Sequence, residues 1–156
     1  MSFDHLGLYD EYVHYYLVLW LALQLMDSQD DTNALAWGSQ YPDTESWDAI
    51  LNLLSSSIPK LHNLNGFGPD RVRKYRCCVS TKYKKCTDEA RSIADDKSRR
   101  DKLVQCGVLL HVLGDTYAHT MSDETAYLPV VGHLVDGTAP DKSPGCSRGL
   151  LPAALP

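Results

Sequence analysis

The charge of this 156-residue chain is unevenly distributed, although its composition, 44% hydrophobic and 22% charged, is ordinary. Residues 71–102 contain twelve of the 15 Lys and Arg and five acidic residues, so this segment carries +7 and the rest of the chain −12. The length excludes a small domain that depends on a metal ion merely to fold. We interpret the basic segment as a solvated helical face; the alternative is a patch that attracts phosphate, as a lipid head group or nucleic acid.

The first apolar run, Tyr12 to Met26, predicts a helix over roughly Tyr9 to Met26. Fifteen residues fall short of the roughly 20 that span a bilayer, and the preceding residues include three acids and no Lys or Arg, the reverse of a signal peptide. We therefore expect no transmembrane segment, and a protein that is cytoplasmic or exported by a non-classical route. The helix is hydrophobic nearly all round, which predicts that it is surrounded. A lone His14 on such a helix is more often a core residue than a ligand.

The polar residues that follow predict a change of element. Several side chains in 27–32 are N-cap candidates for a short helix through Ala34 to Gln40, which Pro42 ends. Asp43 comes next and is either a turn residue or a carboxylate set against aromatic neighbours. An amphipathic helix, Glu45 to Ser56, follows.

The middle of the chain is the least regular in pattern. Pro, Gly and Asn predict a loop over Pro59 to Pro69, which contains His62. The basic stretch Asp70 to Lys85 suggests a strand pair or an irregular excursion. Acidic residues suited to a first turn predict a helix from Thr87 to about Lys97.

The stretch Leu103 to Asp123 carries the strongest pattern, because His111, Asp115 and His119 lie four residues apart in an apolar run. On a helix they fall at about 0°, 40° and 80°, on one narrow face. Burying two imidazoles and a carboxylate costs desolvation free energy unless each group has a binding partner. A divalent metal ion is the partner that most often binds all three groups together. The alternative is a hydrogen-bonded cluster in the core.

Two glycines in the same stretch, Gly107 and Gly114, favour close packing there. Each costs about 1 kcal/mol of helix stability relative to Ala. That cost is tolerable if another helix or a metal cluster must approach the backbone.

The five cysteines show no zinc-ribbon spacing, and five cannot all pair within one chain. Cys77, Cys78 and Cys86 are close enough in sequence for one local disulfide in an oxidising compartment. Cys106 lies on the helical pattern and is expected to be buried. We interpret the cysteines as structural or incidental.

A second dense stretch, Tyr127 to Asp141, carries His133 and Asp136 three residues apart, on one face of any helical turn. Residues 142–156 have no periodicity, and we expect an irregular C-terminal tail or the stub of a longer protein. The prediction is thus an all-α fold: a compact multi-helix bundle over 1–141 with long loops and a metal site between helices.

Eight residues are candidate metal ligands, and five of the six histidines are among them. They are His14, Asp43, His62, His111, Asp115, His119, His133 and Asp136. Their order and spacing resemble those of the zinc-dependent phospholipase C superfamily, which includes the single-strand-specific zinc nucleases. The stretches HYYLVLWLALQL, ALAWGSQYPD and HVLGDTYAHT also look like bacterial relatives of that superfamily.

The resemblance implies a site with two or three zinc ions. It assigns His62 and His111 to one ion, His119, His133 and Asp136 to a second, and His14 to a third. Asp115 would bridge the first two ions, and Asp43 would orient or deprotonate the attacking water. The family has Glu four residues after its last His where this chain has Asp at three, which leaves Asp141 as an alternative to Asp136.

The function expected from the resemblance is metal-dependent hydrolysis of a phosphodiester or phospholipid. The substrate would contain phosphate, as a lipid or a nucleic acid, and the protein could contact a membrane peripherally. The alternative is a catalytically inactive metal-binding or interaction domain, for example part of a bacterial toxin or secreted effector. A plain helical bundle with coincidental histidines is the third hypothesis.

Overall fold

The part of the chain described by the computed structural model, residues 12–43, 66–121 and 123–127, is an α-helical bundle. Its four α-helices are α1 (Val18–Leu23), α2 (Gln29–Gln40), α3 (Pro69–Ser92) and α4 (Asp96–Ala118). A π-helical turn, Tyr12–Leu17, leads into α1, and a 3-10 turn, Tyr41–Asp43, follows α2. These residues contain no strand, which confirms the all-α prediction, and none of their helices is long and apolar enough to cross a membrane.

Helix α2 begins at a side-chain cap. The backbone N–H of Asp31 donates to the Ser28 hydroxyl at 3.2 Å, which satisfies one of the amides that a helix start leaves without a partner. The helix therefore starts five residues before the predicted Ala34, at Gln29. Its end agrees with the prediction, because the chain tightens into the 3-10 turn at Pro42.

Helix α3 corrects the prediction for the stretch Asp70 to Lys85, which is neither a strand pair nor an irregular excursion. A single helix runs from Pro69, a residue suited to the first helical position, to Ser92. The helix predicted from Thr87 to about Lys97 is correct only to Ser92, because the chain leaves the helix at 93–95 and α4 begins at Asp96. Its fully buried positions are sparse: Val72, Val79, Cys86 and Ala90. Only about one position per two turns is buried, so the apolar stripe is too thin to stand out among the basic residues.

Helix α4 carries the central histidines and starts earlier than predicted. Asp95 caps it by accepting the N–H of Ser98 at 2.8 Å, and it ends at Ala118 rather than continuing to Asp123. His119 is thus the C-cap residue. The chain then doubles back through an antiparallel bridge between Thr120 and Ala126.

Helices α2 and α4 touch backbone to backbone at two glycines. A Cβ atom on Gly38 would lie 2.2 Å from the carbonyl oxygen of Val104. A Cβ on Gly107 would lie 2.3 Å from the Leu35 carbonyl oxygen. No side chain fits at either distance, so the predicted close approach at Gly107 is confirmed, and its partner is another helix.

Helices α3 and α4 are joined by a disulfide between Cys86 and Cys106, whose Cα atoms are 5.6 Å apart. The local bridge expected among the first three cysteines is therefore wrong in its partner, while the predicted burial of Cys106 is confirmed. Cys77 and Cys78 are exposed thiols. Proximity in sequence gives the wrong partner because Cys86 is buried between the helices, whereas Cys77 and Cys78 are exposed.

Helix α1 is less enclosed than its composition predicts. Ala22 is buried, but 59% of Trp20 and 46% of Leu21 are exposed. Apolar residues lie on every face of this helix, but not every face is buried. The predicted helix Glu45 to Ser56 and the tail 142–156 lie outside the described residues.

Candidate metal centre

Asp115 lies at the centre of a buried cluster of three histidines. Its Oδ1 atom is 3.2 Å from Nε2 of His14, and its Oδ2 atom is 3.3 Å from Nε2 of His111. Oδ2 is also 3.7 Å from Nδ1 of His119. His111 lies one turn before Asp115 on α4, and His119 follows at the helix cap, as the spacing of four predicts. All four side chains are buried.

His14 enters the cluster from the π-helical turn. Its ring packs against the ring of His111, with centroids 4.1 Å apart and planes inclined by 35°. It also passes over Gly114, where a Cβ would lie 3.5 Å from His14 Cε1. A lone histidine on an apolar helix is more often a core residue, but this one faces the carboxylate of Asp115.

The ring of His111 is oriented by a backbone carbonyl. Its Nδ1 atom lies 2.9 Å from the carbonyl oxygen of Ser39, which can only accept, so Nδ1 carries the hydrogen. In the neutral imidazole, Nε2 then holds a lone pair directed at the carboxylate of Asp115. Two acceptors at 3.3 Å repel each other unless a proton or a metal ion lies between them.

The distances fit a metal ion. One ligand atom from each of His14, His111 and Asp115 lies within 4.8 Å of the other two, so these three residues could hold an ion. Two ligand atoms bound at about 2.05 Å to a tetrahedral zinc are roughly 3.3 Å apart. Each imidazole nitrogen lies at about this distance from a carboxylate oxygen, His14 at 3.2 Å from Oδ1 and His111 at 3.3 Å from Oδ2. His14 and His111 thus share one set, whereas the resemblance assigns them to different ions.

Asp43 lies beside this set, on the 3-10 turn that follows α2. Its Oδ2 atom is 3.9 Å from Nε2 of His14 and 3.8 Å from Nδ1 of His111. Its side chain is buried, with 5% exposed. The prediction that Asp43 belongs with the histidines on α4 therefore agrees with its position, although 68 residues separate it from His111.

The electrostatics keep Asp115 ionised. Burial raises the pKa of this carboxyl, but the positive charge of the His111 and His119 rings in their protonated form, and the hydrogen bonds that His111 and His14 then donate, outweigh burial. The pKa of Asp115 is thereby held well below its usual value. A buried carboxylate that stays charged is suited to bind a cation.

Three residues at the site were not predicted from the sequence. Ser39 orients His111 through its carbonyl oxygen, and Arg76 contacts the last turn of α4. The pKa of the Tyr75 phenol is raised by burial, then by the charges of Cys78 and Asp115. A backbone carbonyl leaves no signal in a sequence, and the two α3 residues belong to the segment interpreted as solvated.

The remaining candidates, His62, His133 and Asp136, lie outside the described residues, as does the alternative ligand Asp141. Of the eight predicted ligands, the structure describes five and brings all five together: His14, Asp43, His111, Asp115 and His119. Comparisons of the chain with models of protein families, with curated proteins and with solved structures give no match.

Proposed function

We propose that the chain binds zinc through His14, His111 and Asp115 and uses it to hydrolyse a phosphodiester or phospholipid. The observation that supports this proposal is the convergence of two imidazoles on the two oxygens of one buried carboxylate. Imidazole nitrogen with carboxylate oxygen is a common zinc donor set. A histidine whose far nitrogen donates to a backbone carbonyl, as His111 does to Ser39, is typical of a metal ligand.

A second ion beside His119 is also proposed. The Asp115 Oδ2 atom lies near both His111 and His119, which supports a role for this carboxylate in bridging two cations. His133 and Asp136 are the proposed further ligands of the second ion, and His62 of the first. A cluster of two or three ions is the composition that the family resemblance implies.

The residues of the cluster have different roles in the proposed reaction. A bound divalent ion supplies the positive charge that binds phosphoryl oxygens and makes water a better nucleophile near neutral pH. His111 and Asp115 hold the position of that charge. Asp43, whose carboxylate faces the same imidazoles, is the proposed acceptor of the proton that the attacking water loses.

A metal-binding domain without turnover is the second candidate, because every member of the cluster is buried. His111, Asp115 and His119 have no exposed surface, and only 3% of His14 is exposed. Catalytic zinc sites keep an open position for substrate, whereas structural sites are closed. Burial of the ligands favours a structural ion, for example in an interaction domain of a toxin or secreted effector.

Two measurements, made one after the other, test these two candidate functions. Metal analysis of protein purified without chelators should find at least one equivalent of zinc, and His111→Ala should lower it; less than one equivalent in the unaltered chain contradicts both candidates. Turnover of bis(p-nitrophenyl) phosphate, phosphatidylcholine or single-stranded DNA then separates them. Zinc without turnover of any of these substrates supports the interaction domain.

A further inference from the structure

We infer that Arg76 is a positioning residue for the metal centre, which holds the last turn of α4 and thereby holds His119 beside Asp115. This inference rests on the proposed function, since it concerns the proposed second ion. Arg76 lies on α3, 40 residues before the carbonyl that it binds, so its contact crosses between two helices.

The contacts of Arg76 converge on that turn. Its Nε atom donates to the carbonyl oxygen of Thr116 at 3.0 Å, and Nη2 donates to the same oxygen and, at 3.3 Å, to the Thr120 hydroxyl. The guanidinium lies 4.1 Å from the centroid of the Tyr117 ring. The last carbonyls of a helix lack intrahelical partners and carry partial negative charge, so a cation with several donors stabilises them.

The turn that Arg76 holds is the one that carries His119. Thr116 directly follows Asp115, and Thr120 directly follows His119, so each of the two Arg76 acceptors is the chain neighbour of one site residue. The Thr120 hydroxyl also donates to the Thr116 carbonyl at 2.7 Å, which closes the turn. The N–H of His119 still donates to the Asp115 carbonyl at 2.9 Å, but its φ of −90° and ψ of 47° are not helical. The position of this residue therefore depends on how the turn after α4 is held.

Backbone hydrogen bonds hold the chain on the C-terminal side of His119. The carbonyl of His119 accepts the N–H of Tyr127 at 3.2 Å, and the N–H of Ala126 donates to Phe67 at 2.8 Å. The backbone of this returning segment is thus tied to the residues that precede α3. Arg76 supplies the corresponding tie from within α3, by side-chain donors that one substitution can remove.

Other basic residues of α3 make a different kind of contact. Arg91 is 81% exposed and pairs with Asp88 on its own helix. Arg76 is half-buried, and its donors bind a neighbouring helix. Arg91→Met is therefore a matched control for Arg76→Met, with the same change on the same helix far from the turn.

The test is titration of the full-length, metal-free chain with Co²⁺, which reports both affinity and ligand geometry through its visible absorption. Arg76→Met should weaken Co²⁺ binding by about tenfold, the lower end of the effect of lost outer-shell contacts, and alter the absorption spectrum. Arg91→Met should change neither. Arg76→Lys, which keeps the charge and one donor, should recover part of the loss and serves if the Met variant does not fold.

A double-mutant cycle shows whether Arg76 acts through His119. In a His119→Ala background, Arg76→Met should change Co²⁺ affinity by less than about twofold, because the residue that it positions is gone. An equal loss in both backgrounds, or a wild-type spectrum in Arg76→Met, overturns the inference but leaves metal binding intact. Failure of the unaltered chain to bind Co²⁺ contradicts the proposed function and overturns the inference with it.

Discussion

Gly107 on α4 lies so close to Gly38 on α2 that a Cβ atom added to Gly107 would come within 2.6 Å of the Gly38 carbonyl carbon. This contact sets the distance between the helix that carries His111 and the segment that carries Ser39 and Asp43. The candidate metal centre therefore depends on two residues that bear no side chain. Its geometry should change when their contact is widened.

Gly107→Ala should destabilise the protein and weaken its metal binding. The added methyl group meets backbone rather than a flexible side chain, so α2 and α4 must separate; overpacking of this kind typically costs about 1–3 kcal/mol. Thermal unfolding and zinc content measure the two effects. Gly114→Ala is the control, since its Cβ would make ordinary contact with His14 at 3.5 Å. Equal stability of the two variants would contradict the role of the glycine contact.

Asp115→Asn should remove more zinc than any other single substitution. The carboxylate lies between three imidazoles, and an amide cannot neutralise the charge of a cation there. Asp101→Asn is the control: it changes an exposed residue on the same helix, which pairs with Lys97. Metal analysis after dialysis checks the result. A variant that keeps wild-type zinc while His111→Ala loses it would show that Asp115 is not the central ligand.

Much of the cluster is readable from the sequence because its core lies on one helix. A spacing of four residues brings His111, Asp115 and His119 together whatever the rest of the fold does. His14 and Asp43 could be proposed only from the family resemblance, since their approach depends on long-range packing. Helix α3 could not be predicted because its buried positions recur only about every two turns. The contact that Arg76 makes from this helix could not be predicted either.

The Cys86–Cys106 disulfide should contribute substantially to stability. It closes a loop of 20 residues between α3 and α4, for which the loss of unfolded-chain entropy predicts about 3 kcal/mol. Urea unfolding of the Cys86→Ala/Cys106→Ala variant should show a loss of that order. The control is Cys77→Ser/Cys78→Ser, which alters only exposed thiols. The unaltered protein should lose the same amount in reductant; an unchanged unfolding midpoint there would argue against the bridge.

Stability should fall at alkaline pH, in part through Tyr83. Burial raises the pKa of this phenol, and the opposing charge of Arg91 is the smaller effect. Above about pH 10 the unfolded chain ionises its tyrosines, while folded Tyr83 still holds its proton. The contribution of Tyr83 to the free energy of unfolding is therefore complete at pH values below the pKa of this phenol in the unfolded chain. It is lost as the pH rises through the higher pKa of the phenol in the folded protein.

Tyr83→Phe should make this alkaline loss less steep, as measured by the free energy of unfolding against pH. Tyr117→Phe, at a position that is 64% exposed, is the control. Curves of equal slope for Tyr83→Phe and the unaltered protein would assign the alkaline loss to other groups.

Asp43 is the residue for which catalysis and metal binding can be separated. Pro42 restrains the backbone before it, and its carboxylate lies within 4 Å of nitrogens on both His14 and His111. We expect Asp43→Asn to lower turnover by at least about 10²-fold, the smaller effect typical of losing a general base, while most of the zinc remains bound.

Zinc content and phosphodiester turnover are measured on the same samples, with Asp101→Asn as the exposed control. Metal lost in proportion to activity would make Asp43 a ligand, and loss of neither would place the base elsewhere. Measuring zinc and turnover together in Asp43→Asn therefore separates a role in proton transfer from a role in metal binding.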